Sequence, residues 1–200
     1  MSHTSTLTTC FPARACAAAV AMLCLLALPP PSQAKLGQPF EAYKAKIAKT
    51  WTQVAEDTSG PKTNYHFSLI VTPEQQSASP GYAAGLTITV QAGKITGQSI
   101  AFRAGSNQMV GAAMATAHGF AFAYEAIGKP MSKDKATAET EFKDFSTAVG
   151  QAFMGRLQSI RYPGFAGLVT VTTDPSGNLI VAATPAAATP GNTPGSTSKH

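Results

Sequence analysis

Hydrophobic residues follow a helical period in three segments of the chain. Between residues 38 and 56 they recur every three or four positions, with Pro39 suited to the first turn, which predicts an amphipathic helix. Residues 108–127 are rich in alanine and apolar on nearly every side, a pattern typical of the central helix of a core. A third helix is predicted for 133–159, with Ser132 as its N-cap. Its expected buried face consists of Phe142, Phe145, Val149, Phe153, Leu157 and Ile160.

Alternating apolar and polar residues predict the strands, most of them paired in hairpins. One strand is expected around residues 65–71, buried on one face. The segments 86–90 and 95–102 flank a glycine-containing turn, and so do 168–173 and 179–183, which predicts two β-hairpins. The outward faces of the hairpin strands would carry Thr87, Thr89, Gln91, Thr170 and Thr172.

The order of these elements predicts an α+β fold. Strands follow one another through hairpins, residues 73–81 form a polar loop, and the pattern contains no strand–helix–strand crossover. We therefore expect an antiparallel sheet of about five strands built from hairpins, with three helices packed mainly on one face. A Pro-Gly-aromatic sequence precedes each hairpin, at residues 80–82 and 163–165, so the hairpins are either structurally equivalent or merely use the same turn residues.

The first 34 residues have the three parts of a cleavable secretory signal peptide. A polar start ends at Arg14, an uncharged apolar run of about 14 residues covers 15–28, and residues 32–34 (Ser-Gln-Ala) offer small side chains for cleavage. The run is shorter than the roughly 20 residues that cross a bilayer, so no stable membrane span is expected after cleavage. A membrane-anchored N-terminus is the alternative. We therefore expect an exported protein, periplasmic or extracellular and bacterial in origin.

Cleavage at this site would leave a chain without cysteine. Cys10, Cys16 and Cys24 all precede residue 35, which excludes disulfides, a thiol nucleophile and thiolate metal ligands from the mature protein. Residues 35–183 are long enough for a single globular domain with one core. Residues 184–200 contain Thr-Pro pairs and almost no large apolar side chain, which predicts a disordered tail.

The charge of the chain narrows the range of partners. The net charge is +5, and the lysines are scattered, with the densest set at Lys44, Lys46 and Lys49. No basic stripe with interleaved aromatic residues occurs, so a nucleic-acid partner is not expected. A charge of this size suits solubility and a weak attraction to anionic surfaces.

Candidate catalytic chemistry is confined to one pair of residues. The sequence lacks the serine-elbow, zinc-helix, phosphate-loop and dinucleotide motifs, and the mature chain has only His66, His118 and His200, too few for a common zinc centre. No metal and no cofactor is therefore expected. His118 and Glu125 lie two turns apart on one helical face, where Glu125 could orient His118 as a general base. A core histidine held by a backbone carbonyl or a helix neighbour is the favoured alternative, because no nucleophile accompanies the pair.

Three function classes remain, in order of preference. The first is an exported, non-catalytic binding or assembly module of unknown ligand or protein partner, using an open sheet face or a groove beside the apolar helix. The second is a carrier of a small apolar ligand, held in a cavity between the 108–127 helix and the sheet. A hydrolase using His118 is the least favoured, so we expect no enzyme activity. The residues lining the carrier's cavity would be Met109, Met114, Phe120 and Phe122.

Export should remove residues 1–34 and leave Lys35 as the N-terminal residue, because a signal peptidase cleaves after small side chains. Intact-mass spectrometry of the protein recovered from outside the cytoplasm measures this directly. An Ala34→Leu variant removes the small residue before the cleaved bond and should keep its presequence. Recovery of the unmodified chain outside the cytoplasm with Met1 still attached would contradict the prediction.

Overall fold

Helices and strands occur in nearly the predicted order, and the strands form one sheet. The computed structural model describes residues 36–165 and 167–185, so the predicted signal peptide and most of the predicted tail lie outside the described residues. The described elements, in chain order, are α1 (Phe40–Ile47), β1 (Trp51–Ser59), β2 (Lys62–Leu69), α2 (Pro73–Ala78), β3 (Ala83–Gln91), β4 (Lys94–Arg103), α3 (Gln108–Ile127), α4 (Lys135–Phe153), β5 (Gln158–Arg161), β6 (Gly167–Thr173) and β7 (Leu179–Pro185).

The sheet is antiparallel throughout and has seven strands, in the order β1-β2-β3-β4-β7-β6-β5. Four helices accompany it within the described residues. The predicted α+β class is therefore confirmed, whereas the expected numbers of strands and helices are too low. The two additional strands, β1 and β5, come from segments whose apolar spacing predicts helix.

The predicted helix over residues 38–56 is wrong beyond Ile47. The helix α1 ends there, and β1 begins at Trp51, which pairs with Leu69 of β2. The segment after Trp51 contains several β-branched residues, and pairing with β2 outweighs the helical spacing of its few apolar side chains. Gly60, with a φ of +58°, lies in the turn of the β1–β2 hairpin, where a left-handed backbone suits glycine.

Strands β1 and β5 are the edges of the described sheet. The pairing of β1 with β2 shifts between Gln53 and Ala55, so Val54 forms a bulge and its side chain is 63% exposed. At the other edge, β5 covers only four residues. A bulge and a short strand both make a sheet edge a poor template for further strands.

The predicted helix over residues 133–159 is shorter at both ends. Its N-cap is Asp134 and not Ser132, and the Asp134 carboxylate accepts a hydrogen bond of 2.8 Å from a backbone N–H of the first turn. The helix α4 ends at Phe153, and Gly155 then adopts a φ of +76°, the left-handed conformation that commonly follows a helix. The remaining predicted residues form a turn and strand β5.

The early end of α4 changes the predicted core. Phe145 and Val149 are buried as expected, but Phe153 is 48% exposed and Leu157 is 64% exposed. Phe153 is the last residue of α4 and lies beside the buried stripe of that helix, whereas Leu157 lies beyond the helix end. Part of the predicted core face is therefore at the surface.

Two smaller differences concern a loop and the C-terminal end. The predicted loop over 73–81 contains the short helix α2, which begins with a capping box between Thr72 and Gln75. The Gln75 N–H donates to the Thr72 hydroxyl, and the Thr72 N–H donates to the Gln75 side chain. The sequence contains this Thr-x-x-Gln signature of a helix N-terminus, but the polar composition of the segment favours a loop. Strand β7 runs to Pro185, two residues into the predicted tail.

The three longer helices pack on the same face of the sheet. Helices α3 and α4 lie against β4, β7 and β6, and α1 packs on β2, β3 and β4. Two glycines let α3 approach closely. A Cβ atom on Gly111 would collide with the backbone of Ala104, and one on Gly119 would lie 3.0 Å from the Val181 side chain. The layer between helix and sheet is therefore thin and closely packed.

Phe145 and Phe153 form a matched pair, because both belong to α4 but only Phe145 is buried. Phe145→Ala should lower the free energy of unfolding by about 3–5 kcal/mol, because it empties a site in the core. Phe153→Ala should change it by about 0.5 kcal/mol or less, as expected for an exposed site. Urea unfolding of both variants measures the difference. Equal losses of stability would contradict the described position of the α4 C-terminus.

Candidate functional site

One face of the sheet carries none of the described helices, and most of its side chains are polar, although the register also places Leu168 and Ile180 on it. The strand register places one row of residues across all seven strands of this open face. The row consists of Ala55, His66, Thr87, Ser99, Ala182, Thr170 and Ser159. Because most of these side chains are short, the open face is flat and rich in hydroxyl groups.

A chain of hydrogen bonds connects three strands on the open face. The Nε2 atom of His66 on β2 lies 2.7 Å from the Asp57 carboxylate on β1. Its Nδ1 atom lies 3.1 Å from the Thr87 hydroxyl on β3. With the proton on Nε2, the ring donates to Asp57 and accepts from Thr87, so both ring nitrogens have partners.

The neighbouring row of the open face extends this network. The Asn64 amide donates to Asp57 at 3.0 Å, and the Thr89 hydroxyl donates to the Asn64 carbonyl oxygen at 2.8 Å. Hydrogen bonds from His66 and then from Asn64 lower the pKa of Asp57, so its carboxylate is charged at neutral pH. Five side chains on three strands are therefore fixed relative to one another.

Asp57, His66 and Thr87 stand in the order acid, base and hydroxyl, which is also the order of a hydrolase triad. Such a triad needs backbone N–H donors that can hold an oxyanion. Strand β3 pairs with β2 on one side and β4 on the other, so the N–H groups beside Thr87 are directed at neighbouring strands. The backbone N–H groups beside Thr87 are therefore occupied by strand pairing within the described sheet.

His118, the predicted general-base candidate, lies on α3 and points towards the sheet. Its Nδ1 atom is 2.7 Å from the hydroxyl of Tyr82, and its ring lies beside Phe102. Burial lowers the pKa of His118 from 6.5 to about 4, so the ring is neutral at neutral pH. A neutral ring with its proton on Nε2 accepts the tyrosine hydrogen, which makes His118 part of the packing between helix and sheet.

Glu125, the predicted partner of His118, lies two helical turns further along α3. The rise of a helix separates the two residues by about 10 Å along its axis. Glu125 is half-buried, whereas the Nδ1 atom of His118 lies at hydrogen-bond distance from Tyr82, the residue before β3. The structure therefore gives His118 a partner 36 positions away in sequence, which no local pattern indicates.

The four residues predicted to line a carrier cavity do not share one environment. Met109 is 76% exposed in the first turn of α3, whereas Met114 and Phe120 are buried in the larger core cluster. Phe122 is half-buried and contacts both core clusters. The Phe120 ring centroid lies 4.4 Å from that of Tyr124, so this part of the helix packs against rings.

A groove of about 530 Å³ opens at the far end of α3, where this helix meets the sheet. Its apolar lining includes Leu36, Ile95, Ile127 and Pro185, and Lys94 lies at its side. Ile127 is the last residue of α3, so the groove is bounded by that helix and the sheet. None of the four predicted cavity residues lines it.

Lys129 forms a separate polar cluster between α3 and α4. Its ammonium group lies 2.8 Å from the Glu141 carboxylate and 4.3 Å from the ring centroid of Tyr124. Burial raises the pKa of Tyr162, which also lies beside the ammonium group, to about 12, so the phenol is protonated at neutral pH. These contacts connect the C-terminal end of α3 with α4, so the cluster stabilises the packing of the two helices.

Sequence reasoning found part of the open-face network. The alternation in β2 and β3 already indicates that His66, Thr87 and Thr89 face outward. The position of Asp57 does not follow from the sequence, because the apolar spacing of the segment before it predicts a helix. A strand interpretation of residues 51–59 would place Asp57 opposite Asn64, which is the signal that could have found it.

Further observations concern metal binding, membrane spans and similarity to known proteins. Among the described residues, no cluster of three or more His, Cys, Asp or Glu side chains could hold a metal ion. Within residues 36–165 and 167–185, no helix is long and apolar enough to cross a membrane.

No protein-family model matches the chain, and neither a curated protein nor a solved structure matches it.

The buried His118 should make stability depend on pH. Between pH 6.5 and about 4 the unfolded chain binds a proton that the folded chain excludes, so stability is full above pH 6.5 and falls as the pH falls towards 4. We expect wild type to lose about 2 kcal/mol more than His118→Gln between pH 7 and pH 5. Urea unfolding at both pH values measures the difference.

Tyr82→Phe is the matched control for this prediction. It removes the hydrogen bond to His118 but keeps the buried imidazole, so its pH dependence should follow that of the wild type. Parallel pH dependences for wild type and His118→Gln would contradict the burial of His118.

Proposed function

We propose that this chain is an exported, non-catalytic binding or assembly module that binds its partner on the open face of the sheet. The observation that carries the proposal is the network of Asp57, His66, Thr87, Asn64 and Thr89 across three strands. Polar side chains that are already fixed lose little conformational freedom on binding, which favours specific recognition.

The shape of the open face supports a flat or extended polar partner. Ser99, Ala182 and Thr170 continue the row beyond Thr87, and their short side chains leave the backbone of the sheet accessible. Hydroxyl groups can donate and accept, so the face suits a partner that presents both kinds of group. A large apolar partner would gain little from it.

A non-catalytic role is proposed for two reasons. The triad-like order on the open face has no free backbone donors beside Thr87 among the described strands. The other candidate base, His118, is half-buried and forms a hydrogen bond with Tyr82. Export is proposed on residues 1–34 alone, which lie outside the described residues.

The groove beside α3 favours a second candidate function, the carrier of a small apolar ligand. Its volume of about 530 Å³ and its apolar lining are of the size and type that small ligands occupy. Native mass spectrometry of the exported protein separates the two candidates. A retained small apolar molecule would favour the carrier, and a retained polar or protein partner would favour the binding module.

Site-specific photo-cross-linking tests the open-face proposal. A photoreactive phenylalanine analogue at Ser99, in the middle of the open face, should give a defined adduct in the cells that export the protein. The same analogue at Thr147, exposed on α4, is the matched control and should not give it. No adduct from Ser99, or the same adduct from both positions, would contradict the proposal.

A further inference from the structure

Three large apolar side chains are exposed together in the turn between α4 and β5. Phe153 is 48% exposed, Met154 is 62% exposed and Leu157 is 64% exposed. They lie within five consecutive positions, and we call them the apolar tip. A cluster of exposed large apolar residues usually marks a surface that contacts something other than water.

The backbone of this turn is held by hydrogen bonds that close the end of α4. The N–H of Arg156 donates to the Gln151 carbonyl at 3.1 Å, and the N–H of Gly155 donates to the Ala152 carbonyl at 2.9 Å. Gly155 adopts the left-handed conformation that this closure requires. Backbone hydrogen bonds therefore fix the conformation of the turn that carries the apolar tip.

A fourth exposed apolar side chain, that of Met109, lies at the same end of the molecule. Met109 belongs to the first turn of α3, whose Gly111 touches Ala104 just after β4. The Thr173 hydroxyl at the end of β6 donates to the Ala152 carbonyl of α4, which brings the α4 C-terminus to this end of the sheet. Met109 and the apolar tip therefore project from one end of the helical layer.

The apolar tip itself carries one charge, the positive charge of Arg156, and the adjacent β6–β7 turn carries the carboxylate of Asp174. The sequence has no aspartate or glutamate between residues 145 and 173, whereas Arg156 lies within the tip. The Arg156 guanidinium is exposed and bonds only a neutral group, the Gln151 amide, at 3.0 Å. Asp174, in the adjacent β6–β7 turn, accepts hydrogen bonds from the backbone of its own turn. An arginine free of carboxylates is well suited to a phosphate.

We propose that the apolar tip docks on the surface of an anionic phospholipid bilayer. Phe153, Met154 and Leu157 enter the boundary between headgroups and acyl chains, and Arg156 binds lipid phosphate. Three side chains of one turn offer much less than the ~800 Å² per partner of a stable protein interface, which favours a membrane over a second protein chain. This surface is separate from the open face.

Vesicle flotation with the chain from Lys35 to His200 tests the proposal, since this chain keeps every described helix and strand. The probes are vesicles of phosphatidylcholine alone and of phosphatidylcholine mixed equally with phosphatidylglycerol. Wild type should float with the mixed vesicles and bind the neutral ones more weakly. Leu157→Ser should weaken binding to both roughly tenfold. Arg156→Gln should weaken binding to the mixed vesicles about fivefold and change binding to the neutral ones little.

Met131→Ser is the matched control, because Met131 is also exposed but lies in the α3–α4 connection, away from the apolar tip. It should bind like wild type, and circular dichroism should show the same folded state for all variants. Failure of wild type to bind the mixed vesicles would overturn the proposal, as would equal losses from Met131→Ser and Leu157→Ser. A wild-type dimer in sedimentation that Leu157→Ser dissociates, without vesicle binding, would assign the tip to a second copy and overturn it too.

Discussion

The close contact between α3 and the sheet is the constraint on which the rest of the structure depends. Gly111 and Gly119 bring the helix so near to the strands that a methyl group at either position meets its neighbours. The rings of Phe102 and Phe145 then lie around Gly119, and α4 packs beside α3 on the same layer. Because most of the apolar side chains of the sheet turn towards these helices, its other side carries mainly short polar ones, with Leu168 and Ile180 among the exceptions.

Sequence alone predicts α3 within its observed bounds, since the alanine-rich apolar run and the stop at Gly128 agree. Both hairpins are also predicted, because the alternation of apolar and polar residues and the turn residues between the strands both indicate a hairpin. The helix prediction is wrong for the segment after Ile47, and the reason is physical. Trp51 continues the helical spacing of α1, and only its pairing with β2 makes the segment a strand. Long-range pairing of this kind leaves a weak local signal.

The candidate sites show the same division between local and long-range information. The outward position of His66 and Thr87 follows from alternation along each strand. The link through Asp57 depends on the register of β1, and the bond between His118 and Tyr82 joins residues 36 positions apart. The exposure of Leu157 depends on the end of α4, which is followed by the left-handed Gly155. Residue types are readable in the sequence, whereas partners come from the fold.

The bulge at Val54 affects the tendency of copies of this chain to aggregate at high concentration. An open sheet invites strand addition from copy to copy, the route by which fibres grow. At β1 the bulge interrupts the row of backbone groups, and Glu56 and Asp57 add charge beside it. At the opposite edge, four residues of β5 give an incoming strand little to pair with. Within the described sheet, resistance to fibre growth is thus built into the geometry of the two outermost strands.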